Sequence, residues 1–142
     1  MAAPIEGVPH AERLRFQDFR FERLPTGRCR ARVVLTWADG REFVGDSEEV
    51  VSQAGELRCS AGAVAQALGR ATQPQLGFEV LGVKAVRAFD ATVVIVSLSA
   101  RWGTGTSRLV GSCITDKDPP RAAALAVLSA TNRILGNFYF AR

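Results

Sequence analysis

The feature that most constrains the fold of this chain is a change of hydrophobic period that occurs twice. Apolar and polar residues alternate over residues 28–37, and apolar residues then recur every three or four positions over residues 57–71. Alternation predicts strands with one buried face, and the longer steps predict an amphipathic helix. The same order returns between residues 78 and 135. We therefore predict an α+β fold in which duplicated βββα units form a two-layer sheet-and-helix sandwich.

The first predicted unit covers residues 16–73. Its strand-like segments are Phe19–Arg23, Cys29–Trp37 and Arg41–Gly45. Asp39 and Gly40 predict a tight hairpin turn between the last two, because glycine accepts the positive φ that such a turn requires. An acidic connection at residues 46–49 leads to the helix, which the segment around Pro74 ends.

The second predicted unit covers residues 77–136. Its strand-like segments are Phe78–Phe89, Thr92–Trp102 and Arg108–Thr115. Lys84 and Arg87 are three positions apart, which predicts a bulge between them. Residues 93–96 are apolar at every position, which predicts a central strand that is covered on both faces.

The last predicted helix, Arg121–Leu135, has a signal at each end. Asp118 is a predicted N-cap, and Gly136 predicts the end of the helix. Residues 1–15 show no sustained period and are predicted to be a flexible tail, and residues 137–142 an aromatic C-terminal tail. Residues 16–136 are thus predicted to be a single domain.

Composition bounds the class of protein. The chain has 142 residues, of which 47% are hydrophobic, and a net charge of +4, a balance typical of a folded globular domain. Its longest apolar runs, residues 91–98 and 122–130, are too short to cross a bilayer. No N-terminal stretch has the pattern of a secretory signal. We therefore predict a cytoplasmic protein without a membrane partner.

Residues that could support catalysis are few and dispersed. The single histidine, His10, is in the predicted tail, and no two of the three cysteines form a C-x-x-C pair: Cys29, Cys59 and Cys113. A zinc site needs four ligands and a cysteine nucleophile needs a base. Asp116 and Asp118 are explained more simply by helix capping. We predict no enzymatic activity, no catalytic residue, no metal site and no cofactor.

Three arginines, Arg28, Arg30 and Arg32, fall on one face of the second predicted strand. A basic strand face is one way to bind RNA or DNA, although Trp37 lies on the opposite face and cannot stack on a base there. The same arginines could instead meet the acidic segment 46–56 of a second copy. Nucleic-acid binding stays the alternative function.

The second half carries a resemblance to a known family. Its marks are the turn Asp90-Ala91 between two strands, the strand segment Leu109–Ser112 with its central glycine, and a small-residue helix that ends in residues 130–135. The order of these features resembles that of the C-terminal regulatory domain of 2-isopropylmalate synthase, here as a stand-alone domain. That domain is a duplicated βββα unit that dimerises and binds the feedback amino acid.

The resemblance implies a non-catalytic regulatory or scaffold domain that forms a homodimer and binds a small metabolite or a protein partner. The synthase barrel and its metal-binding histidines are absent from the chain. The family's Gly-Pro-Val-Asp-Ala stretch is replaced by residues 58–63, which contain neither proline nor acid. The predicted ligand-binding residues are Ser60, Gly62, Asp90, Gly111 and Asn132, the last either lining a cavity or bonding to neighbouring backbone.

Overall fold

The computed structural model describes residues 14–140, with side chains as far as Asn132. The predicted N-terminal tail therefore lies outside the described residues, except for Leu14 and Arg15. Within the described part, six strands and two helices follow one another in the predicted order: β1 (Arg15–Arg23), β2 (Arg28–Thr36), β3 (Glu42–Val50), α1 (Gln53–Thr72), β4 (Leu76–Ala88), β5 (Ala91–Trp102), β6 (Gly105–Thr115) and α2 (Pro119–Phe140).

The strands form two antiparallel three-stranded sheets, which confirms the α+β class. Sheet A has the order β1-β2-β3, and sheet B has the order β4-β5-β6. A helix follows each sheet along the chain. No helix in the described part of the chain is both long and apolar enough to cross a membrane.

Tight turns connect the strands at, or within one residue of, the positions that the sequence predicts. Gly40 has a φ of 93°, and the backbone N–H of Gly40 donates to the carbonyl of Trp37 at 2.9 Å. Phe89 and Asp90 both have a positive φ, as the two central residues of a two-residue hairpin do. The predicted turn at Asp39-Gly40 is therefore confirmed, whereas the turn predicted at Asp90-Ala91 lies one residue earlier, on Phe89 and Asp90, because Ala91 pairs with Ala88 and begins β5.

Helix α1 is buried over most of its surface. It contacts β2, β3 and β4 as well as α2, and among its central residues only Arg58, Gln66 and Arg70 are exposed. Its N-cap, Ser52, accepts a hydrogen bond from the backbone N–H of Gly55 at 2.8 Å. A helix that is apolar on nearly all sides belongs inside a protein, so the buried surface of α1 includes the predicted apolar stripe and extends beyond it.

Each helix crosses the last strand of the preceding sheet at a glycine. A Cβ placed on Gly45 of β3 would lie 1.9 Å from the carbonyl oxygen of Ala63. A Cβ on Gly111 of β6 would lie 2.2 Å from the carbonyl oxygen of Ala126. Only glycine allows backbones to approach this closely. Both helices therefore pack small residues against a strand glycine.

Buried residues of both sheets and both helices share the larger of two hydrophobic clusters. Fully buried side chains of β2 lie in the same cluster as those of β5 and α2, among them Val33, Leu35, Val96, Leu98 and Val127. Partly buried aromatic residues of β1 pack against this cluster. The guanidinium of Arg121, in the first turn of α2, lies 5.1 Å from the ring centre of Phe16 in β1.

Two predicted boundaries and one predicted bulge are placed wrongly. Strand β3 continues to Val50, so residues 46–49 are not a connection but part of sheet A. The irregularity of β4 lies between Val80 and Gly82 rather than at Lys84–Arg87. Helix α2 runs through Gly136, because a helix interior tolerates glycine at a cost of about 1 kcal/mol. Residues 137–140 thus continue the helix.

The expectation that β5 is covered on both faces is also wrong within the subunit. Val94, Val96 and Leu98 are fully buried beneath the sheet, but Ile95 on the opposite face is 37% exposed. Helix α2 covers one face of sheet B, where it contacts β5 and β6. The outer face has no covering element among the described residues.

Candidate interaction surfaces

The outward side of sheet A is a charged surface, which we call the charged face. Strand alternation places arginines and carboxylates on it from all three strands: Asp18, Arg20, Glu22, Arg28, Arg30, Arg32, Asp46 and Glu48. The four positive charges of these arginines balance the four negative charges of these carboxylates. The predicted interaction face is therefore the basic centre of an electrically neutral surface.

The arginines of β2 are held by carboxylates on the two neighbouring strands. Arg30 lies between Glu22, at 3.0 Å, and Glu48, at 3.9 Å. Arg32 pairs with Asp46 at 3.3 Å, and Arg28 pairs with Glu48 at the same distance. The acidic segment that meets these arginines is therefore that of the same chain. Its pairing lowers the positive potential that a nucleic-acid phosphate would meet here.

One position on the charged face leaves positive charges side by side. Arg20 lies directly opposite Arg32 in the β1–β2 register, and like charges at such positions repel. The carboxylate of Asp18, 3.3 Å away, is the partner of Arg20. An open depression of about 610 Å³ lies here, lined by residues of all three strands: Arg20, Glu22, Arg30, Arg32, Asp46, Ser47 and Glu48.

The outward side of sheet B has a different character, and we call it the apolar face. Five aliphatic side chains define it: Val86, Val93, Ile95, Val110 and Ile114. The two on the edge strand β6 are the most exposed, at 64% for Val110 and 70% for Ile114. Contiguous exposed apolar surface of this kind is typical of an interaction site.

The strand register aligns the apolar face in rows. Val86, Val93 and Ile114 lie side by side across the three strands. Two of the neighbouring rows contain Ile95 and Val110, each beside a serine of the adjacent strand. Phe89, in the turn at the same end of the sheet, is fully exposed. The apolar side chains are thus concentrated toward the β4–β5 turn.

Sequence reasoning missed this surface, although its signal is present. The continuous apolar run at residues 93–96 correctly indicates that the outer side of β5 is apolar. It does not say whether a helix of the same chain covers that side. The alternation in β6, with Val110 and Ile114 on one side and Leu109 and Cys113 on the other, is the second signal.

The predicted ligand-binding residues lie on four different elements. Ser60, on α1, is fully buried, and its hydroxyl donates to the carbonyl of Glu56 at 2.9 Å. Gly62, two positions further, faces β3, since a Cβ there would lie 3.1 Å from the Ser47 hydroxyl. Gly111 provides the close approach of α2 to β6. These three residues have packing or helix contacts in the fold.

The other two predicted ligand-binding residues are exposed. Asp90 lies in the β4–β5 turn, and Asn132 lies on the surface of α2. Gly111 pairs with Val96, five positions along β5 from Ala91, which separates it from the turn by about 17 Å along the strand. The hairpin geometry therefore keeps Asp90 apart from Gly111.

Two of the three cysteines lie beneath sheet A in the core. Cys29 and Cys59 are both fully buried, and the Cys59 thiol donates to the carbonyl of Ser47 at 3.0 Å. Burial, together with the neighbouring Cys29, raises the pKa of Cys59 to about 12. A thiol with this pKa is neutral and a poor nucleophile near pH 7. Across residues 14–132, no group of three or more His, Cys, Asp or Glu side chains is placed to hold a metal ion.

Comparison with protein-family models and with curated proteins finds no match to this chain. The two sheet faces and their chemistry are therefore the basis of the functional proposal.

Proposed function

We propose that the chain is a non-catalytic regulatory or scaffold domain that forms a homodimer and binds a small metabolite or a protein partner. The observation that carries this proposal is the apolar face of sheet B. An aliphatic surface of this extent on a three-stranded sheet gains free energy when another surface covers it, at about 25 cal/mol per Å² of apolar area. Association is the function that such a surface serves best.

The glycine crossings support the finer statement that the two βββα units are a duplication that forms a two-layer sandwich. Gly45 and Gly111 occupy the third strand of their units, and each is followed by a helix with alanines four apart at the crossing: Ala63 and Ala67, Ala126 and Ala130. The residues around the glycines, Phe-Val-Gly-Asp-Ser and Leu-Val-Gly-Ser-Cys, also correspond. The resemblance to the synthase regulatory domain fits the same plan and a cytoplasmic location.

Light scattering coupled to size-exclusion chromatography tests association of the intact chain. We expect a dimer mass at micromolar concentration, and a monomer mass up to about 100 μM would contradict the homodimer. A thermal-shift screen of amino acids and acyl metabolites tests ligand binding, since a ligand at 100 times its Kd adds about 2.7 kcal/mol to the free energy of unfolding. If no compound shifts the melting temperature, the proposal reduces to association with protein.

A further inference from the structure

The outer side of sheet B carries two opposite charges whose positions are related. Glu79 on β4 and Arg108 on β6 both pair with Ser99 of β5, so they lie in one row at opposite edges of the sheet. Both are exposed, and among the described residues neither has an ion-pair partner within the subunit. Each is therefore available to a partner.

We propose that the apolar face of sheet B is the homodimer interface, formed by a two-fold axis that runs parallel to β5 between two stacked sheets. This inference rests on the proposed homodimer and names its interface. Such an axis places each row of one sheet opposite the same row of the other sheet, and it reverses the order of the strands across the sheet. Strand β4 of one subunit then faces β6 of the other, while β5 faces its own copy.

This symmetry pairs the charges. Glu79 faces Arg108 of the partner subunit, and Arg108 faces Glu79 of the partner subunit. The dimer therefore contains two equivalent ion pairs across its interface. The contact is isologous, as contacts in two-fold dimers are. Charge complementarity of this kind fixes the register of an interface and disfavours other partners.

The same symmetry also matches the aliphatic side chains. Val86 faces Ile114 of the partner subunit, and Val93 on the central strand faces its own copy. The row of Gly82, Ser97 and Val110 places the exposed valine of one subunit opposite the glycine of the other, where there is room for it. Lys84 faces Ser112 of the partner subunit, so no like charges meet in the rows of the apolar face.

In this arrangement, like charges would meet across the interface at one position, at the end of the sheet. Arg101 is on the central strand and would face its own copy, but its guanidinium lies over Gly77 of β4, 3.1 Å from where a Cβ would be. Its charge is thus displaced from the axis toward the edge. The arrangement leaves the charged face of sheet A solvent-exposed in the dimer.

The face is just large enough to reach the lower bound for a specific dimer interface. Three strands about 4.8 Å apart and about 35 Å long give a surface of roughly 500 Å² on each subunit. Two such surfaces bury about 1,000 Å², which is the lower bound for a specific interface. Aligned packing of two sheets about 10 Å apart is a common arrangement in proteins.

A charge exchange tests the register. Glu79→Arg and Arg108→Glu each place two pairs of like charges across the interface, and we expect each to raise the dimer Kd at least tenfold in sedimentation equilibrium. The double variant restores both pairs, and its Kd should return to within about threefold of the original. Additive losses in the double variant would overturn the register.

Removal of the apolar contact tests the face itself. We expect Ile114→Asp to give a monomer, whereas Val50→Asp, at a similarly exposed aliphatic position on sheet A, should leave the dimer Kd within threefold. Circular dichroism establishes that both variants fold. A folded Ile114→Asp variant that still dimerises would overturn this interface but not the homodimer. An unchanged chain that is monomeric would overturn both.

Discussion

The outer faces of the two sheets have the same backbone plan and opposite chemistry. In sheet A the outward positions of the central strand β2 include three arginines, each paired with a carboxylate of a neighbouring strand. In sheet B the outward positions of the central strand β5 include Val93 and Ile95, beside further aliphatic residues on both edges. The charged side chains of the charged face are paired within one subunit, whereas no described element of the same subunit covers the side chains of the apolar face.

The difference shows which residues define the fold and which are free to serve function. Beneath both sheets, a glycine in the third strand packs against alanines of the following helix. Those positions are constrained by close packing. The outward positions are not, so one sheet has a neutral ionic surface and the other a surface for a partner.

The largest expected effect concerns the feature that the two units share. Gly45→Ala and Gly111→Ala should each lower the free energy of unfolding by about 3 kcal/mol, because the added methyl group would overlap helix backbone. Urea denaturation measures this. Gly69→Ala is the matched control, since a Cβ there meets nothing within 4 Å, and it should stabilise α1 by about 0.5–1 kcal/mol. If only one strand glycine is sensitive, the two crossings are not equivalent.

A smaller effect concerns the cysteine beneath sheet A. The pKa of Cys59 is raised to about 12 from an ordinary value of 9.0. Its contribution to stability is therefore complete below pH 9 and is lost as the pH rises toward 12, with a loss of about 1 kcal/mol by pH 10. Urea denaturation at pH 8 and pH 10 should show this loss in the unchanged chain.

Two alanine variants isolate the Cys59 contribution. Cys59→Ala should have a smaller loss of stability between pH 8 and pH 10, whatever its stability at pH 8. Cys113→Ala, beneath sheet B, should retain the full loss. Equal pH dependence in Cys59→Ala and the unchanged chain would show that the Cys59 thiol does not titrate differently on unfolding.

The smallest expected effect concerns the charged face. Arg30→Ala leaves Glu22 and Glu48 without their shared cation, and it should lower the free energy of unfolding by about 0.5 kcal/mol in low salt. The loss should vanish in 1 M NaCl, where the Debye length is about 3 Å. Lys84→Ala, on the outer side of sheet B, should show no salt-dependent loss. A loss that persists in 1 M NaCl would mean that Arg30 acts through packing rather than charge.

Much of the fold could be predicted because its signals are local. The alternation in β2 and the helical steps in α1 each report which side of an element is buried, and the Asp39-Gly40 turn needs only its own two residues. Asp118 is confirmed as the cap of α2, since its carboxylate accepts from the backbone N–H of Arg121 at 3.2 Å. These interactions join residues close in sequence.

The errors occurred where a distant residue decides the outcome. Asp46 and Glu48 have the composition of a loop, but arginines on β2 pair with them and extend β3. The predicted ligand-binding residues were carried over from the resemblance, and the fold distributes them over α1, β6, α2 and the β4–β5 turn. Their joint role stays a prediction.

The sequence by itself determined the order of strands and helices, the inward face of each and, to within one residue, the positions of the turns, because periodicity and turn chemistry are properties of short segments. Only the tertiary structure decided that the arginines of β2 are neutralised by their own chain and that the outer side of β5 is left open. Both depend on which elements lie side by side, and the spacing of apolar residues along one strand does not specify its neighbours.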